Sequence, residues 1–195
     1  MEAMPMEKPL DHSQGMALVR LARKTLAGSL HIPWDEEEEP LLAEPIFGRE
    51  QATFVTLTQR GQLRGCIGTL QPVAPLAESV RDNTFSAAFN DPRFAPVTQG
   101  EFDELHIEVS LLTSATPMDA KSPTEILMDL RVGLDGVILK KGGASSTFLP
   151  QVWTQLPNPE EFLSQLSLKA GLSKDAWKSP EAKLFTYQVQ VFEEI

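Results

Sequence analysis

The only cysteine of the chain, Cys66, lies in the segment Leu63-Arg64-Gly65-Cys66-Ile67-Gly68-Thr69. Read as a strand, this segment puts Arg64, Cys66 and Gly68 on one face. Gly65 and Gly68 remove bulk around the thiol and let backbone or ligand approach closely. An adjacent guanidinium lowers a thiol's pKa and raises its thiolate fraction. A nucleophilic or redox-sensing cysteine is built in this way. The competing reading is a buried free cysteine that packs as a small hydrophobe.

A cysteine nucleophile needs a base, and the chain has three histidines. His12 falls in a polar N-terminal stretch, and His31 at a helix end, where capping is its ordinary role. His106 stands beside Glu108 on the polar side of an alternating run. The pair would aim an imidazole at Cys66 if the two strands are neighbours, and otherwise it is an exposed polar strand face. Neither a Cys–His–Asn order nor a nucleophile elbow is present. The block Ala87-Ala88-Phe89-Asn90-Asp91-Pro92-Arg93-Phe94 places Asp91 and Arg93 at a helix exit. There they pair with each other, or edge a cleft beside the Cys66 strand. Three scattered histidines, with no H-x-x-x-H or D-x-D-x-D-G pattern, predict no metal site, and no motif calls for a cofactor. Lys140-Lys141-Gly142-Gly143 reads as a hairpin turn or a small anion nest. It lacks the G-x-x-x-x-G-K-[ST] pattern of a phosphate loop.

The elements that must position these residues follow from periodicity and punctuation. Leu18, Ala22 and Leu26, with Leu21 beside them, predict a helix over Gly15–Leu30. Residues 1–13 read as a loose tail, leaving 14–195 as the folded domain. Asp35–Glu39 is a run of five acids in an irregular, Pro-rich connection, read as a solvated loop or as a docking site for a basic partner. Ala52–Thr58 and Leu63–Leu70 predict a hairpin with Gly61 at a positive φ. Pro75–Asn90 predicts a helix with Leu76, Val80, Ala87 and Ala88 on its apolar stripe. Leu105–Leu112 alternates, with Leu105, Ile107, Val109 and Leu111 on one side and His106, Glu108 and Ser110 on the other. Ser122-Pro123-Thr124-Glu125 caps a short helix through Leu130. Gly136–Lys140 and Ser146–Val152 read as strands. Asn158-Pro159-Glu160-Glu161 opens a helix stopped by Gly171, and Leu184–Phe192 reads as one half-buried strand. Helices and hairpins mix without a βαβ rhythm, which predicts an α+β fold with essentially one core on a mainly antiparallel sheet.

Composition bounds the function. The chain has 195 residues, 42% hydrophobic and 23% charged, which is the balance of a globular domain rather than a disordered chain. A net charge of −10 counts against general nucleic-acid binding and against docking on anionic lipid. One cysteine excludes an intramolecular disulfide and fits a reducing, cytoplasmic setting. The polar first residues predict no secretory signal, and no apolar stretch is long enough to span a membrane.

Five motifs together carry a family resemblance. They are LRGCIGTL at Leu63–Leu70, AAFNDPRFAPVT at Ala87–Thr98, LHIEVSLLT at Leu105–Thr113, GGASSTFLPQVW at Gly142–Trp153 and KAGLSKDAW at Lys169–Trp177. The chain resembles the AMMECR-type domain family, the A component of the AmmeMemoRadiSam system, from about Gly15 to Glu193. The resemblance implies an α+β fold with a larger and a smaller subdomain around a cleft. It also implies association with a Memo-like protein and a radical-SAM protein. The family carries no settled activity, so it supplies no mechanism. Its signature is Arg64–Gly68, and Asp91, Arg93, Glu108 and Ser110 fall in the other blocks. Many relatives carry a basic residue just after the glycines of the fourth block. This chain has Ala144-Ser145-Ser146 there, which weakens the nest reading. The expectation is therefore an accessory or regulatory protein that binds a small molecule or a protein partner at Arg64–Gly68. Its alternative is an enzyme with Cys66 as nucleophile or redox thiol, assisted by Arg64, Glu108 and His106.

Overall fold

The stripe Leu18–Ala22–Leu26 is buried on the first helix, α1 (His12–Ser29). The computed structural model describes residues 9–35, 39–120 and 122–194. The first eight residues of the expected tail, and Glu36–Glu38 of the acidic run, lie outside the described residues. The helix starts three residues earlier than its apolar periodicity predicts. Asp11 caps it, accepting from the Gln14 backbone N–H at 2.9 Å, while Gln14 accepts from the Asp11 N–H at 3.1 Å. Such a polar box adds a turn without any apolar residue to announce it. Just before the cap, Leu10 is buried, and its backbone is held by the Gln190 side chain.

The chain divides into two compact units: unit 1 is Met1–Ser114 with Gln190–Ile195, and unit 2 is Ala115–Val189. Each has its own apolar cluster, so the single core expected from the sequence is two. The α+β class holds in both.

In unit 1, β1 (Thr53–Gln59) and β2 (Gln62–Gly68) form the expected hairpin. Arg60 at φ 52° joins Gly61 at φ 74° in its turn. The helix α2 (Leu76–Phe89) and strand β3 (Leu105–Leu112) follow, and β8 (Val189–Glu193) completes a sheet ordered β2-β1-β3-β8. The β1–β2 and β1–β3 pairings are antiparallel. Helices α1 and α2 pack on one side of this sheet. That side buries Val55, Leu57, Ile107 and Val109 completely. Each such side chain contributes about 1.5–3 kcal/mol over its exposed state.

In unit 2, β4 (Thr116–Pro117), β5 (Gly136–Lys141), β6 (Ala144–Phe148) and β7 (Lys183–Tyr187) form a second antiparallel sheet, ordered β4-β7-β5-β6. The capped helices α3 (Pro123–Asp129) and α4 (Pro159–Lys169) accompany it. Gly142 and Gly143, at φ 56° and 87°, make a two-residue hairpin turn, which is the turn reading of that segment rather than the nest. The strand expected over Ser146–Val152 stops at Phe148, because Pro150 starts a 3₁₀ turn. The strand expected over Leu184–Phe192 is two strands in two sheets. Tyr187 and Phe192 are both buried while Val191 is 43% exposed, so the alternation changes phase across Gln188.

Candidate functional site

Strand β2 is the outer strand of the unit 1 sheet, and its pairing fixes what stands beside the thiol. Cys66 lies opposite Thr56 of β1, and Thr56 lies opposite Glu108 of β3. The three side chains form one row on the sheet face turned away from α1 and α2. The Thr56 hydroxyl donates to Cys66 Sγ at 3.3 Å. In the next row Gly68 and Ser110 flank Phe54, and the Ser110 hydroxyl donates to Glu108 Oε1 at 3.1 Å. Cys66, Thr56 and Glu108 are half-buried, and Ser110 is buried. With β1 between them, the β2 and β3 backbones run about 10 Å apart. A ligand over Thr56 would meet both Cys66 and Glu108.

Asp91 and Arg93 hold the outer edge of β2. The Cys66 backbone N–H donates to Asp91 Oδ2 at 2.9 Å. Arg93 Nε and Nη2 donate to the two Asp91 oxygens at 2.9 and 2.7 Å, and Nη2 reaches Cys66 O at 3.4 Å. Asp91 is 4% exposed, and the Arg93 guanidinium holds its carboxyl well below the usual range, with the Cys66 N–H assisting against burial. The pair covers a strand edge that would otherwise offer free N–H and C=O groups.

Arg64 does something other than expected. Its Nε and Nη2 donate to Glu101 at 2.7 and 3.3 Å, and Nη1 donates to Ala95 O at 2.8 Å. Those bonds push Glu101 down to about 2, helped by Thr98 N–H and hydroxyl, each donating at 2.8 Å. The guanidinium whose charge favours the thiolate is that of Arg93. It is outweighed: burial pushes the Cys66 thiol up, and Glu108 and Asp91 push the same way. The Arg64 guanidinium is thus turned to Glu101, and burial is the largest influence on the Cys66 thiol, raising its pKa.

His106 is opposite Thr58, outside the row of Cys66, and its Nε2 lies 2.6 Å from Glu194 O. Strand β1 separates β3 from β2, so the condition under which His106 would face Cys66 is not met. His12 opens α1, and His31 follows its end at φ 56°. Burial raises Glu108 above its ordinary range, with Glu193 adding to this and Ser110 and His106 opposing it.

The two glycines of the motif are filled by protein. A Cβ on Gly65 would lie 2.1 Å from Ala87 O, and one on Gly68 would lie 2.3 Å from Thr53 O. Gly65 thus admits the backbone of α2 against β2, and the motif assembles the sheet edge as much as it bares a thiol. Sequence reasoning missed Thr56 and Glu101. The Thr98-x-x-Glu101 box was visible as a cap, and Thr56 had no signal without the register. Among the described residues, no group of three or more His, Cys, Asp or Glu is placed to hold a metal, and no helix is long and apolar enough to cross a membrane.

The row offers two hydroxyls together with a thiol and a carboxyl whose pKa values burial raises. These groups can donate hydrogen bonds to, and accept them from, a ligand laid over Thr56. Comparisons with known proteins bear on the chain as a whole. The family model described as AMMECR1 matches residues 19–192. A protein of Methanothermobacter thermautotrophicus is 39% identical over 193 residues, covering 95% of this chain and 97% of that protein. A protein of Methanopyrus kandleri is 38% identical over 197 residues, covering 97% and 92%. The crystal structure of the uncharacterised protein PH0010 from Pyrococcus horikoshii superposes with a TM-score of 0.84 at 35% identity, covering 95% and 93%.

Proposed function

The chain belongs to the AMMECR1 family, and on that premise we propose that it is an accessory or regulatory protein that binds a small molecule or a protein partner on the Cys66–Thr56–Glu108 face of unit 1. The observation that carries this reading is the register itself, which lines up three half-buried polar side chains on one sheet face. The acting groups are Cys66, Thr56, Glu108 and Ser110. Arg64, Gly65, Gly68, Asp91 and Arg93 hold the edge strand on which Cys66 sits. The setting, a cytoplasmic system with a Memo-like and a radical-SAM protein, rests on the family resemblance and not on this geometry.

The alternative is catalysis by Cys66 as nucleophile or redox thiol. Thr56 donation and the Arg93 charge favour it, but burial acts more strongly the other way. Co-precipitation of the wild type and of Glu108→Gln with the Memo-like and radical-SAM proteins tests the proposal. Retention of at least one partner by the wild type, weakened about tenfold by Glu108→Gln, is the expected result. Failure to retain either partner contradicts the system assignment. Equal retention of the variant contradicts the assignment of the face.

A further inference from the structure

The charge of the protein is unevenly divided. Unit 2 carries eight Lys or Arg and eight Asp or Glu, so the whole of the net −10 falls in unit 1. Unit 2 is neutral, so its own charge does not repel an anionic ligand. Several of its bases are paired there: Arg131 with Asp135, and Lys178 with Glu160 and Asp175. Lys140 and Lys183 make no ion pair among the described residues. They are exposed and stand directly opposite each other on β5 and β7. Like charges in that register destabilise a sheet, and an anion between them reverses the sign.

The surroundings say which anion. Ser145 of β6 lies opposite Lys140 on its other side, so a row Ser145–Lys140–Lys183 crosses three strands. The next row is Thr147–Ile138–Phe185. Lys140 Nζ lies 5.2 Å from the centroid of the half-buried Phe185 ring, which puts ammonium and ring on one face. That face is opposite the one whose Val137, Leu139 and Leu184 enter the unit 2 core. Two ammonium groups and a hydroxyl suit a phosphate. A flat ring beside them suits a nucleobase, which has a π-face whatever its sequence. A simple anion or an acidic peptide leaves the ring unused.

We propose that the Lys140–Lys183–Phe185 face of unit 2 binds a nucleoside phosphate, either free or within a single strand. The phosphate sits between Lys140 and Lys183, Ser145 donates to it, and the base stacks on Phe185. Drawing the Lys140 ammonium onto the phosphate uncovers the ring, so the two contacts form together. This site is independent of the unit 1 reading.

Fluorescence anisotropy of the full chain with a labelled short oligothymidylate, competed by AMP, tests it. Lys140→Gln and Lys183→Gln each weaken binding about fivefold and flatten its salt dependence, and Phe185→Leu weakens it about fivefold without changing that dependence. AMP competing as well per nucleotide as the strand identifies the free nucleotide. A tighter strand, with a log–log salt slope of about −0.7 from the one phosphate held between the lysines, identifies the single strand. Binding of neither, or binding unchanged in all three variants, overturns the proposal. So does displacement of the probe by inorganic phosphate or polyglutamate as readily as by AMP, because the ring then contributes nothing.

Discussion

Unit 1 and unit 2 each set helices against one side of a four-stranded sheet, yet they put opposite chemistry on the other side. Unit 1, which carries all the net negative charge, shows a half-buried row of Cys66, Thr56 and Glu108. Unit 2, which is neutral, shows an exposed row of Ser145, Lys140 and Lys183 beside Phe185. Each unit also ties down a half-exposed arginine with a buried aspartate, Arg93 on Asp91 and Arg131 on Asp135. Of the two, Asp91 also takes the backbone N–H of a residue of its unit's row, Cys66 on the edge strand. The lesson is that the unit 1 row is built into a fixed edge, whereas the unit 2 row lies on a finished surface. Changes to the first should cost stability, and changes to the second should not.

The largest expected effect comes from adding one methyl group on each side of this comparison. Gly65→Ala drives a Cβ to 2.1 Å from a backbone oxygen of α2, which cannot move without moving the helix. Gly136→Ala meets the Tyr187 ring at 2.4 Å, and a ring can turn aside. Urea unfolding should show a loss of about 3 kcal/mol for the first and about 1 kcal/mol for the second. Equal losses would remove the idea that the motif glycine admits the helix backbone.

Acid should act on unit 1 through its edge. Glu101, held at about 2 when folded against an ordinary value of 4.5, contributes stability that is fully present above pH 4.5. That stability is lost as the pH falls from there through 2. Solvent screening of the Arg64 pair keeps it to about 1 kcal/mol. Hydrogen exchange should show β2 amides losing protection between pH 5 and pH 3 in the wild type, and less change in Glu101→Gln. An unchanged profile in the variant would mean that Arg64 does not anchor β2 through Glu101.

Elements with local signals were legible in the sequence. Strand β3 spans the residues its alternation predicts, and α3 and α4 begin at their Ser122 and Asn158 caps. The partners of the site were not legible, because strand pairing brings them together over long separations. Thr56, ten residues before Cys66, and Glu108, beyond α2, meet the thiol's row only through β1. Arg64 misled for a local reason. A register shift between Leu57 and Thr58 interrupts the ladder beside it, and its long side chain finds a carboxylate in the loop instead. The division into two units was hidden for another reason. Alternation over Leu184–Phe192 looks alike whether one sheet or two receive it, and only the change of phase at Gln188 separates them.

The central claim is that burial raises the Cys66 thiol and that Arg93, not Arg64, is the guanidinium that tunes it. The most direct test is the pH dependence of Cys66 alkylation in native protein, compared among the wild type, Arg64→Ala and Arg93→Ala. The expected result is a thiol pKa above the unperturbed value of about 8.5. It should rise further in Arg93→Ala, where a favourable charge is lost and Asp91 is left unpaired, and stay unchanged in Arg64→Ala. A pKa below 8.5 that climbs when Arg64 is removed would contradict the account and return Cys66 to the role of an activated nucleophile.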